Sequence, residues 1–267
     1  MLNLQDVTLL CVETRDPNLA HWAIDQCLAK ASFAKVVLLT DLARLGDKKP
    51  GIEYVQAPPI KTTKDYSHLL LTGIGQFVSG THVLIIQWDS FITHPELWDE
   101  RFLKYDYIGP VWPHHSETPV GNGGFSLRSL KLLKVLLDDQ VVKRHPEDYC
   151  ICVDNKGYLE QKHNIKFAPT LVAEQFAVER SIWHPAFGFH GFFNFGRVLN
   201  DEQLQTFINL LPVSYFSGLD SYDLMAQLKE QSRYKIAKEI GKKIRFKWKM
   251  RKRYLKLKIW LCCNYEI

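Results

Sequence analysis

The sequence lacks an apolar run long enough to cross a membrane. A bilayer-spanning helix needs about 20 consecutive apolar residues, and the best stretch of this 267-residue chain is the short segment His82–Trp88. The first residues, Met1–Leu10, carry Asp6 and no basic cluster ahead of their apolar positions, so they lack the layout of a secretory signal. We therefore expect neither an integral membrane protein nor a secreted one.

Paired cysteines and glycosylation signals are also missing. The six cysteines contain no CxxC pair and no regular spacing, which argues against a disulfide framework or a zinc knuckle. No asparagine begins an Asn-x-Ser/Thr sequon. These absences predict a reducing, cytoplasmic setting.

Acidic residues are nearly absent from one region near the C-terminus. Residues 233–258 contain 13 Lys and Arg against a single acid, Glu239, whereas the rest of the chain has 21 basic and 28 acidic residues, a net charge of −7. The overall charge of +5 therefore comes from a basic tail and not from the main domain. The apolar fraction of 46% is typical of a globular core of ordinary density.

Strand-like and helix-like segments alternate through the first half of the chain. The predicted strands are Val7–Val12, Val36–Thr40, Ile52–Val55 and Val83–Trp88, and the predicted helices are Asn18–Lys30 and Asp65–Val78. This alternation with short connections predicts an α/β fold with a mainly parallel central sheet flanked by helices. Ligands bind beyond the carboxyl ends of such strands, so we expect Thr14–Arg15, Asp41 and Gln87–Ser90 to line a site.

Two polar motifs follow strands of this pattern. Asp89 comes directly after the strongest predicted strand, where a carboxylate can bind a hard divalent cation or simply cap a turn. The segment Val120–Gly124 then places Asn122 and three glycines before a short strand. Glycines allow close approach of the backbone to a ligand, and the same pattern also fits a hairpin turn.

Two further motifs carry titratable groups. Glu147 and Asp148 lie at the start of a short helical segment, where one carboxylate could accept a proton as a general base or both could decorate a helix N-terminus. His190 stands between glycines and aromatic residues in Phe187–Phe192. A single histidine is usually structural, but glycine on both sides suits a loop that approaches a ligand.

In this order, the four motifs resemble the signature set of GT-A glycosyltransferases. The segment with QWDS, YDYIGPVW, VGNGGFSLRS, PEDYCIC, FAPTLVAEQFAVE and FGFHGF is similar to an uncharacterised bacterial glycosyltransferase-like family, known mainly as a domain of unknown function. The resemblance covers roughly residues 5–197. It implies a GT-A, Rossmann-like catalytic domain over residues 1–200, followed by a helical, basic extension over residues 201–267.

The resemblance also implies roles for individual residues. Asp89 and His190 match the metal-binding positions, and Asp148 matches the acceptor-activating acid with Glu147 beside it. The positions expected to contact the donor are Thr14, Arg15, Asp41, Gln87, Ser90, Asn122, Gly123 and Gly124. One departure is Gln87, which stands at the first acidic position of the usual Asp-x-Asp motif and leaves one direct carboxylate for the metal.

The activity implied is transfer of a sugar from a nucleotide-sugar donor, expected to be a UDP-sugar, to a hydroxyl of a glycan or lipid-linked acceptor. An inverting single displacement assisted by Mn²⁺ or Mg²⁺ is the favoured mechanism, in cell-surface polysaccharide synthesis. Two alternatives stay open, a retaining transferase and a catalytically silent protein of the same fold that binds nucleotide sugars. Gln87 is the residue that favours the silent protein.

The basic tail poses a separate question. The apolar residues Ile236, Ile240, Ile244 and Trp248 lie four apart, and cations alternate with aromatic and aliphatic residues beyond them. This pattern favours an anionic membrane surface as partner, which would place the protein peripherally on the inner face of the cell membrane. Nucleic-acid binding is the competing interpretation, and a solvated tail is the third.

Overall fold

The computed structural model describes residues 1–263, apart from the side chain of Ser217. The chain divides into two compact units, Met1–His190 and Gly191–Ile267. This division comes before the expected boundary at residue 200, and residues 264–267 of the expected extension lie outside the described residues.

The first unit contains nine strands in two sheets. In chain order they are β1 (Leu2–Val12), β2 (Ala31–Thr40), β3 (Glu53–Gln56), β4 (His82–Ile86), β5 (Ser90–Ile92), β6 (Tyr107–Ile108), β7 (Phe125–Ser129), β8 (Ala177–Val178) and β9 (Gly188–His190). The large sheet has the order β3-β2-β1-β4-β7-β6. Strands β3, β2, β1 and β4 are parallel, and β7 runs antiparallel to both β4 and β6. The prediction of a mainly parallel α/β sheet is confirmed.

Six helices belong to the same unit. They are α1 (Pro17–Leu28), α2 (Thr63–Thr72), α3 (Leu130–Val135), α4 (Glu147–Tyr149), α5 (Lys156–His163) and α6 (Thr170–Phe176). Helix α1 begins where the Asp16 carboxylate accepts a hydrogen bond from the Asn18 amide. Helix α2 begins with a capping box in which Thr62 and Asp65 satisfy each other's backbone amides.

The central strands are buried because helices cover the sheet. Residues 82–86 of β4 are buried at every position, as are residues 7–12 of β1, which is typical of a parallel sheet with both faces covered. Cys27, on the inner side of α1, is fully buried. The helix predicted over Asp65–Val78 is shorter than expected, since it ends at Thr72 before Gly73 and a separate 3₁₀ turn.

The second sheet was not predicted from the sequence. It has the order β5-β9-β8, and its strands contain only two or three residues each. Strand β5 pairs antiparallel with β9, with Ser90 opposite His190 and Phe91 opposite Phe189. The rings of Phe91 and Phe189 meet edge to face with centroids 4.7 Å apart. This pairing joins two segments that are far apart in the chain.

The second unit is helical in its described part. Its helices are α7 (Phe195–Val198), α8 (Asp201–Leu210), α9 (Leu219–Glu230), α10 (Tyr234–Lys243) and α11 (Arg251–Cys263). Ile236, Ile240 and Ile244 are buried. Trp248, the fourth member of their pattern, is exposed, because α10 ends at Lys243. No helix within residues 1–263 has both the length and the apolar character needed to cross a bilayer.

Gly80 provides a test of the turn that leads into β4. Its φ is +89°, and a Cβ at this position would lie 2.5 Å from the backbone oxygen of Asp6. We expect Gly80→Ala to lower the free energy of unfolding by about 1–3 kcal/mol, measured by urea denaturation. Gly46→Ala is the matched control, because nothing lies within 4 Å of its added Cβ, and it should change stability by less than about 0.5 kcal/mol. Equal stabilities for the two variants would contradict this account of the turn.

Candidate active site

The β5–β9 pairing brings Asp89 and His190 together. Asp89 directly precedes β5 and His190 ends β9, opposite Ser90. The Nε2 atom of His190 lies 3.6 Å from Oδ1 of Asp89, and both side chains retain a small exposed fraction. Two residues that are about a hundred positions apart in the sequence thus share one site at the carboxyl end of β4.

Glu179 holds the other side of the His190 ring. Its Oε1 atom lies 3.1 Å from His190 Nδ1. Burial opposes protonation of the ring, but the charge of Asp89 and the hydrogen bond and charge of Glu179 outweigh it and raise the pKa of His190 to about 9. Burial alone would raise the pKa of Glu179, yet its hydrogen bond with His190 and the charge of that ring lower it. Carboxylates on both sides therefore fix the orientation of the imidazole.

Gln87 completes the surroundings of the imidazole. Its Nε2 atom donates to the hydroxyl of Tyr66 at 3.1 Å, and its Oε1 atom lies 3.3 Å from Nε2 of His190. The amide oxygen therefore faces the same ring atom as the Asp89 carboxylate does. The residue that departs from the Asp-x-Asp pattern still presents an oxygen at the site.

These side chains fit a hard divalent cation. In the neutral ring, with Nδ1–H donating a hydrogen bond to Glu179, the Nε2 lone pair of His190 points to the side where Asp89 and Gln87 present oxygens. A cation would bind this neutral form in competition with the second proton that the raised pKa favours. An outer carboxylate that orients a histidine ligand is common at metal centres. Within residues 1–263, no three His, Cys, Asp or Glu side chains are grouped so that they could hold a metal on their own. The set is thus suited to a cation that takes further oxygens from a ligand or water, as Mg²⁺ and Mn²⁺ do.

The glycine segment packs beneath these side chains. A Cβ on Gly124 would lie 2.2 Å from Nε2 of His190, and one on Gly123 would lie 2.1 Å from Oε1 of Glu147. Both glycines are buried. The space left by the missing side chains of Gly123 and Gly124 is thus filled by protein groups, and the expected approach of their backbone to a donor sugar stays a prediction.

Asn122 anchors the same segment in an unusual conformation. Its φ is +58°, a left-handed value that asparagine tolerates better than most residues. Its Oδ1 accepts a hydrogen bond from the Gly124 amide at 3.0 Å, and its side chain also bonds to Glu179. Asn122 is buried and joins the glycine segment to the residue that orients His190, and its expected contact with the donor stays a prediction.

Asp148 lies against the glycine segment and is partly exposed. Its Oδ2 accepts a hydrogen bond from the Gly123 amide at 3.1 Å, and its Oδ1 accepts one from the Tyr149 amide at 2.8 Å. Each carboxylate oxygen has a further lone pair. Asp148 can therefore accept a proton while its orientation is fixed by two backbone amides.

Glu147 occupies a different environment from its neighbour. It is buried, and its Oε1 atom pairs with Nη2 of the fully buried Arg128 at 3.1 Å, while Ser67 donates to Oε2 at 3.3 Å. Burial raises the pKa of Glu147, and the Arg128 charge acts in the opposite direction. Its carboxylate is enclosed and holds Arg128 in place, which favours a structural role over the expected catalytic one.

Ser90 is likewise not available to a ligand. Its side chain is fully buried, and its hydroxyl donates to the Gly124 carbonyl at 2.6 Å and accepts from the Gln87 amide at 2.9 Å. The expected donor contact of Ser90 stays a prediction that this enclosed hydroxyl does not support. Its hydroxyl instead fastens the turn after β4 to the glycine segment.

Two adjoining clefts open beside these residues. The long cleft, of about 1380 Å³, is lined by Thr14, Arg15, Asp41, Arg44, Gln56 and Lys61 among others. The short cleft, of about 350 Å³, is lined by Thr14, Arg15, Lys61, Tyr66, Gln87 and Trp88 among others. Because Thr14, Arg15 and Lys61 border both, the two clefts lie side by side at the carboxyl ends of the parallel strands. Thr14, Arg15 and Asp41 thus lie where a ligand was expected.

Four residues of the site were missed by the sequence analysis. Glu179 and Arg128 lie in two of the segments that carry the family resemblance, and Tyr66 lies in α2, but all three act through other side chains. Lys61, which borders both clefts, follows the Pro58–Pro59 break. A helix or strand pattern does not reveal such residues, because it does not show which side chains of other elements they contact.

Comparison with known proteins gives a family and a set of structural similarities. The model of a family described as a protein of unknown function (DUF5672) matches residues 49–190, just over half of the chain. No curated protein matches the sequence.

Solved structures with similar folds include several glycosyltransferases. The chain aligns with a galactosyltransferase, LgtC, in complex with donor and acceptor sugar analogs, at 11% identity, a TM-score of 0.42, and coverage of 68% of this chain and 86% of that one. A glycosyltransferase involved in glycosylation of the major capsid of PBCV-1 matches at 12% identity and a TM-score of 0.42, covering 69% and 91% of the two chains. TarS 1-349 of S. aureus matches at 11% identity and a TM-score of 0.42, covering 94% and 78%. Such remote similarity assigns no activity, so function has to be argued from the site itself.

The buried Arg128–Glu147 pair can be tested by removing one partner. Arg128→Met leaves an enclosed carboxylate without its cation, and we expect a loss of about 3–5 kcal/mol in the free energy of unfolding. The double variant Arg128→Met/Glu147→Leu should recover part of that loss, since no buried charge remains.

Lys35→Ala, which breaks the solvent-accessible Lys35–Glu53 pair, is the control and should cost less than about 1 kcal/mol. A loss for Arg128→Met no larger than that of the control would show that the pair is not needed. Chemical denaturation of the parent and the three variants provides the measurement.

Proposed function

This chain belongs to the family of proteins of unknown function DUF5672, and we propose that it is a metal-assisted glycosyltransferase that uses a nucleotide-sugar donor. The observation that carries the proposal is the meeting of Asp89, His190 and Asp148 around the glycine segment, beside a cleft at the carboxyl ends of parallel strands. Glycosyl transfer to a hydroxyl requires stabilisation of a charged leaving group, a group that accepts the hydroxyl proton, and a cleft that holds the donor.

The clefts suit an elongated, anionic donor. Both clefts are lined by Arg15 and Lys61, and these two side chains are exposed to solvent. Cations at these positions could balance the charge of a diphosphate, and Thr14 and Asp41 offer hydrogen bonds for a base and ribose. Gln87 also lines the short cleft, and its Oε1 atom lies 3.3 Å from Nε2 of His190. A donor lying in the two clefts would thus bring its diphosphate close to the Asp89–His190 pair.

Asp89 and His190 would hold the divalent cation, with Gln87 as a further oxygen ligand. A bound Mn²⁺ or Mg²⁺ would supply electrostatic stabilisation of the negative charge that develops on the departing nucleoside diphosphate. Glu179 keeps the Nε2 atom of His190 directed toward this position. The Gln87 amide oxygen supports metal binding despite the incomplete Asp-x-Asp motif.

Asp148 is the proposed general base. It is the partly exposed carboxylate of the Glu-Asp pair, and its two backbone hydrogen bonds hold it next to Gly123. In an inverting single displacement, Asp148 would accept the proton of the acceptor hydroxyl while the bond between the sugar and the diphosphate breaks. The negative charge of the enclosed Glu147 is balanced by Arg128, which keeps the roles of the two acids distinct.

The finer features of the reaction are proposals that rest on the family resemblance. They are a UDP-sugar as donor, a glycan or lipid-linked hydroxyl as acceptor, inversion at the anomeric carbon, and a role in cell-surface polysaccharide synthesis. The second candidate, a silent nucleotide-sugar-binding protein, is favoured by Gln87 in place of an acid. Slow hydrolysis of UDP-glucose, UDP-galactose or UDP-N-acetylglucosamine in the presence of Mn²⁺ would support the enzyme, and donor binding without any turnover would support the silent protein.

Asp148→Asn tests the base. We expect the rate of transfer to fall by about 10²–10⁴-fold, because the amide cannot accept the acceptor proton. The affinity for UDP should change by less than about twofold, since Asp148 lines neither of the clefts proposed for the donor. Rates of sugar transfer and calorimetric titration with UDP provide the two readouts. Asp139→Asn, at an exposed position outside the site, is the control. Transfer by Asp148→Asn at the parental rate would remove this residue from the base role.

Asp89→Ala and His190→Ala test the cation site. Each change removes a proposed ligand, so the stabilisation of the protein by UDP with Mn²⁺ should weaken by at least about tenfold in apparent affinity. Thermal shift with UDP alone, Mn²⁺ alone and both together gives the measurement. Asp139→Ala, at an exposed acid outside the clefts, should behave as the parent. A response to Mn²⁺ that is unchanged in both ligand variants would place the cation elsewhere or exclude it.

A further inference from the structure

The segment that follows α10 exposes large apolar side chains. Phe246 and Trp248 precede α11 and are 52% and 72% exposed, and Leu255 and Ile259 on α11 are 61% and 65% exposed. The last two are four residues apart and share one helix face. Four large apolar residues within 14 positions of one segment are more than scattered surface exposure explains.

The opposite face of α11 packs onto its own unit. Leu257 is buried, and a Cβ on Gly241 would lie 3.0 Å from Leu257 Cδ1. Arg253 pairs with Asp223 at 3.0 Å, and the Lys229 ammonium lies 4.5 Å from the ring centroid of Trp260. The helix is therefore fixed by one face, and the exposed apolar residues belong to the other.

The exposed face is strongly basic. Residues 240–263 contain ten Lys and Arg and no Asp or Glu. By helical spacing, Lys252 and Lys256 flank Leu255 and Ile259 on one side, and Lys258 flanks them on the other. The Lys258 ammonium lies 5.3 Å from the ring centroid of Tyr254. Apolar residues bordered by cations on both sides thus form a continuous strip.

Aromatic residues extend this strip beyond the helix. The Phe246 ring lies 5.3 Å from Tyr254 and 6.3 Å from Trp248, centroid to centroid. The Arg251 guanidinium lies 5.3 Å from the Trp248 centroid. The segment before α11 therefore adds aromatic rings and cations to the exposed side of the helix.

We propose that this surface binds an anionic lipid bilayer. The docking face consists of Phe246, Trp248, Leu255 and Ile259 together with Lys252, Lys256 and Lys258. Its aromatic and aliphatic side chains would enter the boundary between headgroups and acyl chains, while the flanking cations contact anionic headgroups. The exposed Leu255 and Ile259 favour lipid over nucleic acid, because phosphate contacts use cations and gain nothing from aliphatic side chains.

The test is sedimentation of the full chain with vesicles. Vesicles of phosphatidylcholine alone are compared with vesicles that contain about 30% phosphatidylglycerol, at low and high salt. We expect binding to the anionic vesicles, weakened by salt, and at least about tenfold weaker binding to the neutral vesicles. Equal binding to both vesicle types, or binding to neither, would overturn the proposal.

Two double variants separate the contributions of the apolar and the charged side chains to vesicle binding. Leu255→Ser/Ile259→Ser keeps every charge, and Lys252→Glu/Lys256→Glu keeps every apolar residue. Each double variant should weaken binding to anionic vesicles by about tenfold or more. All four residues are exposed, so the fold should be retained, which circular dichroism checks.

Matched controls come from exposed residues of the first unit. Leu171→Ser/Ile182→Ser changes apolar residues that are 76% and 91% exposed, and Lys104→Glu/Lys162→Glu reverses exposed charges. Both should bind vesicles as the parent does. Parental binding by the docking-face variants, or an equal loss in the controls, would overturn the proposal. Binding of a DNA or RNA oligonucleotide that is lost only in Lys252→Glu/Lys256→Glu, without vesicle binding, would assign the surface to nucleic acid instead.

Discussion

The candidate site depends on one antiparallel contact between two three-residue strands. Ser90 of β5 lies opposite His190 of β9, and this register places the imidazole beside the Asp89 carboxylate. A shift of one residue would turn His190 to the other face of the small sheet. The edge-to-face contact of Phe91 and Phe189 buries two rings on that sheet and opposes such a shift. Aromatic packing at the rear of the site thus determines the positions of the polar groups at its front.

The site encloses charged side chains, each of which would lower the stability of the fold if it were buried without a partner. Asp89 and Glu179 are largely enclosed carboxylates, and His190 lies between them with a raised pKa. Glu147 is similarly enclosed and is balanced by Arg128. Each carboxylate has a partner of opposite charge or a backbone donor, so the cost of burial is offset locally. Asp148 differs because it keeps an open side, and this difference in environment separates the proposed base from its neighbour.

The sequence predicted the large sheet and the places where polar residues would gather, because buried parallel strands have a strong apolar pattern. It did not predict the second sheet, since strands as short as β8 have no periodicity to read. A glycine motif shows that space is required but not what fills it, and here His190 and Glu147 fill it. Glu179 was missed because its role depends on a histidine eleven positions away.

The contact between Gly124 and His190 restricts which residues can occupy these two positions. Any side chain at position 124 would overlap the imidazole, with its Cβ 2.2 Å from the ring. A side chain at position 124 would therefore push the His190 ring out of its place between Asp89 and Glu179. Among homologous chains, a residue larger than glycine at position 124 should occur only together with a residue smaller than histidine at position 190. The two positions should thus change as a pair, and such correlated substitution would mark members that have lost the histidine.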